Sequence, residues 1–77
     1  MFLDVQVLSP ARMIFEGRAK SVILPGEAGE FEILPFHKPI LSRLFSGTLS
    51  IDEQTYPIRR GIVKCRQNKV TVIIEET

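Results

Sequence analysis

The sequence predicts an all-β domain, a small two-sheet sandwich of about eight to ten short strands. Two observations carry this reading. Apolar and polar residues alternate in short runs along nearly the whole chain, the period of a half-buried strand. Clusters of Gly, Pro, Ser, Asn and Asp interrupt those runs every few residues, where the backbone must turn. The length of 77 residues and a hydrophobic share of 44% allow one core and one domain, because two cores would each fall below the size that folds unaided. Burial in so small a domain predicts modest stability, roughly 4–12 kcal/mol.

Taken in order, Leu3, Val5 and Val7 alternate with Asp4 and Gln6 until Ser9-Pro10 breaks the run. Met13-Ile14-Phe15 leads to Gly17, and Ser21-Val22-Ile23-Leu24 leads to Pro25-Gly26. Glu30-Phe31-Glu32-Ile33 follows Ala28-Gly29 and places both glutamates on one face, opposite Phe31 and Ile33. Pro39 to Phe45 fits two readings, because Ile40, Leu41, Leu44 and Phe45 also suit a short amphipathic helix. Thr48–Ile51 and Thr55–Ile58 read as strands around a hairpin tip at Asp52-Glu53-Gln54. Pro57 cannot donate to a ladder, so its strand is expected at an edge or bulged there. The last two strands, Ile62 to Arg66 and Lys69 to Glu75, flank the tight polar turn Gln67-Asn68.

Composition excludes several function classes. Ten basic and nine acidic residues give a net charge of +1, which carries no signature of nucleic-acid binding. Arg60, Lys64 and Arg66 share one strand face with Ile62, yet lack the stacking aromatics of a single-strand binder. One cysteine allows no internal disulfide and suits a reducing compartment. Cys65 and one histidine cannot supply the four ligands of a zinc site. Pro25-Gly26-Glu27-Ala28-Gly29 lacks the lysine and helix start of a phosphate-binding loop. No apolar run reaches the ~20 residues of a membrane-spanning helix, and Met1-Phe2-Leu3 meets Asp4 without the basic and apolar regions of a leader. The chain therefore reads as soluble and cytosolic, with no cofactor expected.

Candidate chemistry is equally sparse. His37 is the one possible catalytic base, with Ser42 or Ser46 as nucleophile, but no nucleophile elbow accompanies it. A contact-making loop histidine is the better reading. Cys65 alternates with Val63 and reads as a small buried hydrophobe. The segment Leu24–Ile40 holds three prolines, two glycines, three glutamates and His37. It has the character of a docking surface rather than a reaction centre.

These residues also carry a family resemblance. Val7-Leu8-Ser9-Pro10 matches a strand closed by a T/S-P turn, and Met13-Ile14-Phe15-Glu16-Gly17 a V-x-F-x-G element. Ser21–Gly26, Gly29-Glu30-Phe31, Leu34-Pro35, His37 and Pro39-Ile40-Leu41 follow S-V-x-x-P-G-x-x-G-x-F-G-x-L-P-G-H-x-P-L-L. Gly47–Ile51, Gly61-Ile62-Val63 and Lys69–Val72 fit the closing strands. In this order the chain resembles the amino-terminal domain of the epsilon subunit of rotary F-type ATP synthases (delta in mitochondrial naming). Glu32 and Phe36 stand where the pattern has glycine, Lys38 where alanine is common, and Arg60 replaces the first glycine of a G-G pair. The helical hairpin that usually follows this domain is not in the sequence, as in a short subunit or a truncated one.

The resemblance implies a non-catalytic rotor part that packs on the gamma subunit and stands on the polar loops of the c-ring. It would sit at the cytoplasmic face of a bacterial membrane, peripheral through the complex. It also implies that a loop carrying Glu30 and His37, with Phe36 and Lys38, forms the ring and gamma contacts. The competing expectation is a free-standing β-sandwich binding module, which would show a surface cluster of aromatics.

Overall fold

A computed structural model describes residues 1–77 and contains eight strands and no helix. The strands are β1 (Leu3–Leu8), β2 (Met13–Ala19), β3 (Val22–Gly26), β4 (Gly29–Ile33), β5 (Ile40–Leu44), β6 (Gly47–Ile51), β7 (Gln54–Arg66) and β8 (Lys69–Glu76). Hydrogen bonding links them in the order β2-β1-β8-β7-β6-β3-β4, with β5 paired to β7. The sheet curls on itself, and one cluster of 16 buried side chains fills the space between its two layers. Every strand contributes to that cluster, including Val5, Leu24, Ile33, Leu44, Leu49 and Val72. This is the predicted β-sandwich.

Strand β7 makes the sandwich possible. It runs for 13 residues, where two separate strands, Thr55–Ile58 and Ile62 to Arg66, were expected. Its first part pairs with β6, from Gln54 to Ile58, and its second part pairs with β5, from Gly61 to Cys65. Strand β8 lies along its opposite edge, so one strand serves both layers. The register with β8 shifts between Ile58 and Arg60, leaving Arg59 as the extra residue of a bulge. The bulge changes which parity faces inward. Ile58 is buried before it, and Val63 and Cys65 are buried after it, an odd offset that a regular strand cannot produce. Pro57 lies one residue beyond the last β8 pair, so it has a ladder neighbour on the β6 side alone.

Segment Pro39 to Phe45 resolves as a strand. Leu44 points inward, Leu41 is 75% exposed, and Ile40 through Leu44 pair with Cys65 through Gly61. The pairing partner decides the matter, since the isolated segment is too short to hold a helix. One pairing had no counterpart in the sequence reading: β1 and β8 run parallel, from Asp4–Lys69 to Leu8–Ile73. It brings the two ends of the chain into adjacent strands.

Turns are built by side chains as much as by backbone. Ser9 Oγ accepts the Ala11 and Arg12 N–H groups, which closes the β1–β2 corner. Asp52 Oδ1 accepts the N–H groups of Lys20 and Ser21, both at 3.0 Å. The β6–β7 tip is thereby tied to the β2–β3 corner. Gln67 and Asn68 both have positive φ, 50° and 62°, as a two-residue type I′ hairpin requires.

Candidate functional site

Phe36, His37 and Lys38 are consecutive in the β4–β5 loop, which caps one end of the sandwich beside the β7–β8 turn. The loop opens on a tight turn in which His37 N donates to the Leu34 carbonyl at 3.1 Å. Pro35 fits the second position of that turn because its φ is fixed. Phe36 occupies the third position with φ 68°. That combination is the signature of a type II turn, whose third position favours glycine. A bulky side chain at positive φ costs about 1–2 kcal/mol. Asn68 helps hold the conformation: its Oδ1 accepts the Phe36 N–H at 2.6 Å.

Replacing Asn68 tests this clamp. Asn68→Ala both loses the acceptor and strains its own positive φ, and should cost about 1–3 kcal/mol in urea unfolding. Asn68→Gly tolerates the conformation and loses only the hydrogen bond, so its midpoint should fall between the two. Equal midpoints for all three chains would show that the clamp contributes nothing.

His37 is half-buried and hydrogen-bonds within its own loop, Nδ1–H donating to the Lys38 carbonyl at 2.7 Å. Ser42 Oγ donates to the Arg43 carbonyl. No serine hydroxyl is hydrogen-bonded to the imidazole, so the pair needed for nucleophilic catalysis is not assembled. Cys65 lies in the core at 1% exposure, and loss of solvation pushes its thiol pKa up. No three His, Cys, Asp or Glu side chains gather where they could hold a metal ion.

Glu30 is exposed, but it does not belong to the loop that carries His37. It pairs with Pro25, one step from the Gly26–Gly29 turn, at the opposite end of β4. Three strand steps separate it from Ile33, about 10 Å at 3.3 Å per residue. The expectation of one loop bearing both groups is therefore corrected: a hairpin strand intervenes. Glu32 shares the face of Glu30 and accepts a hydrogen bond from Ser21 Oγ at 2.6 Å, while Phe31 and Ile33 turn inward.

The outer face of the β5-β7-β8-β1-β2 layer holds features that the sequence did not announce. Ile62, Ile73, Leu8 and Met13 are successive cross-strand partners on it, an apolar row in which three side chains are roughly half exposed. Periodicity shows each of these as an outward residue. Only the register lines them up. An open groove of about 610 Å³ begins at Ile62 and Ile73 and extends to Phe45, Arg59 and Pro10. Two ion pairs lie near its far end. Arg12 bonds Glu76 at 2.7 Å and Arg60 bonds Glu75 at 2.8 Å. The hydrogen bond from Arg12 holds the Glu76 carboxyl below its ordinary pKa, and both guanidinium groups are raised by their carboxylate partners.

Comparison with known proteins gives consistent results. A family model described as the ATP synthase, Delta/Epsilon chain, beta-sandwich domain matches residues 2–77. The ATP synthase epsilon chain of Bordetella parapertussis is 42% identical over 95% of this chain and 56% of its own length. That of Nitratiruptor sp. is 36% identical over 95% of this chain and 60% of its own. The chain thus spans little more than half the length of these curated relatives. Among solved structures, a chain from the Euglena gracilis mitochondrial ATP synthase, OSCP/F1/c-ring in rotational state 1, superposes with a TM-score of 0.89 at 16% identity. The match covers 97% of this chain and 51% of that one. A chain from the Tetrahymena thermophila mitochondrial ATP synthase, central stalk/c-ring, gives 0.81 at 12% identity over 96% and 63%. At such identities the structural likeness speaks to the fold alone.

Proposed function

The chain belongs to the ATP synthase delta/epsilon family through its β-sandwich domain, and from that premise we propose that it is a non-catalytic part of a central stalk. It joins the gamma subunit to the polar loops of the c-ring, and so helps couple ion movement through the ring to ATP synthesis. It works at the cytoplasmic face of a bacterial membrane, held there by the complex. The observation that carries this reading is the family match across residues 2–77.

The geometry suits a joint between two partners. Torque transmission needs a stiff body, and here a single closed core with hydrogen-bonded corners supplies one. The four candidate contact residues fall into two groups at opposite ends of β4. Glu30 is a free carboxylate matched to polar ring loops, where charge-assisted hydrogen bonds are the stronger kind. The Phe36–His37–Lys38 loop offers an apolar tip and a basic flank, matched to a different surface on gamma.

Cysteine cross-linking tests the division. Glu30→Cys is expected to cross-link to the c subunit, and His37→Cys to gamma, in the assembled complex. Capture of one and the same subunit by both positions would refute the two-ended arrangement. Failure of the chain to co-purify with a folded gamma from the same source would refute the rotor reading itself.

A further inference from the structure

We infer that Phe36 is the anchor by which the β4–β5 loop docks, inserting into an apolar pocket rimmed with acidic groups on the gamma subunit. The inference rests on the rotor reading and names the partner chemistry at one end of it. Three observations converge on Phe36. Its ring is 72% exposed, so it packs little against its own core. Its backbone sits at φ 68°, in a turn position that glycine would fill without strain. The strained backbone is nonetheless fixed, by His37 N to the Leu34 carbonyl and by Phe36 N to Asn68 Oδ1. A phenylalanine that is exposed, strained and held still contributes little to its own fold. It is already arranged as a preorganised interface anchor, a role in which aromatic residues predominate.

Charge around the anchor specifies the rim of its pocket. Asn68, which clamps Phe36, lies between Arg66 and Lys69, and Lys38 follows in the loop. Lys64 lies two pairs further along β7. All four are exposed, and the ion pairs of this chain, Arg12–Glu76, Arg18–Asp4 and Arg60–Glu75, use none of them. Four cations outside any ion pair beside an aromatic tip, with Asp4 at the strand position next to Lys69 already paired to Arg18, fit a partner with acidic groups around an apolar hole. Polar ring loops offer an apolar side chain little, which favours gamma over the ring as the partner. The rim charges should act mainly on association rate and salt dependence.

The test compares the parent chain with Phe36→Gly and Phe36→Tyr for binding to purified gamma by calorimetry, alongside urea unfolding of each chain alone. Phe36→Gly should unfold at the same or a higher urea concentration and bind gamma at least tenfold more weakly. Phe36→Tyr keeps the ring and should bind within about threefold of the parent. Parent affinity should also fall as salt rises from low to high concentration, because the rim pairs are screened. Equal affinity of the parent and Phe36→Gly would overturn the anchor and leave the rotor reading standing. No binding of the parent to folded gamma would overturn both. Phe36-dependent binding to phosphatidylglycerol vesicles, with none to gamma, would overturn the proposal in favour of a lipid surface.

Discussion

Ile58→Asp is expected to abolish cooperative folding. Ile58 is 1% accessible and sits just before Arg59, the residue by which β7 exceeds β8 between the Ile58–Glu76 and Arg60–Glu75 pairs. Because that extra residue sets the inward parity on both sides of the bulge, Ile58 faces the core together with Val63 and Cys65. The strand cannot turn this position outward without also turning out Tyr56, which packs on the core. The substitution loses a buried isoleucine, at about 2–5 kcal/mol. It also leaves a carboxylate in a core that holds no polar side chain, which costs more. Together these losses rival the roughly 4–12 kcal/mol available to a domain of this size. Circular dichroism during urea titration should show no sigmoidal transition. A transition within about 1 kcal/mol of the parent, small on the scale of single-residue effects, would show that this side chain does not face the core.

Gly61→Ala is the second large effect, and its cause lies two residues beyond the bulge. A Cβ on Gly61 would press on the backbone carbonyl oxygen of Ile73, with Ile74 Cγ2 at 3.0 Å and Ile74 Cα at 3.2 Å. The first obstacle is main chain, held in the β7–β8 ladder by the Gly61–Ile74 and Ile62–Ile73 pairs. It cannot rotate away as a side chain would. Relief requires β8 to move off β7, and β8 is also the strand that joins β1 to the rest of the sheet. Overpacking of this kind costs about 1–3 kcal/mol and occasionally more, and the backbone obstacle argues for the upper end. The urea midpoint should fall accordingly with an unchanged slope. An unchanged midpoint would mean that the two strands separate there at no cost.

The same region shows why parts of the fold could be read from the sequence and others could not. Alternation at Leu3-Val5-Val7, Phe31-Ile33 and Val63-Cys65 marks the inward side of each strand, and the structure buries those residues or packs them on the core. Gln67-Asn68 marks a tight turn because few residues accept positive φ. Arg59 left no such mark: it reads as one more polar residue between two apolar runs. The candidate site divided in the same way. Phe36, His37 and Lys38 are neighbours in sequence and remain so in the loop. Glu30 was grouped with them by the family resemblance, and the strand between carries it to the other end.

The sequence by itself determined the all-β class, the inward faces of the strands and most of the turns. These follow from φ preferences and from side chains alternating with period two, both properties of a few adjacent residues. Tertiary structure alone decided the parallel pairing of β1 with β8, the sharing of β7 between two layers, the apolar row from Ile62 to Met13, and the contact of Asn68 with Phe36. Each of these joins residues far apart in the chain. Local alternation offers many compatible registers for such pairings, and closing one common core selects among them.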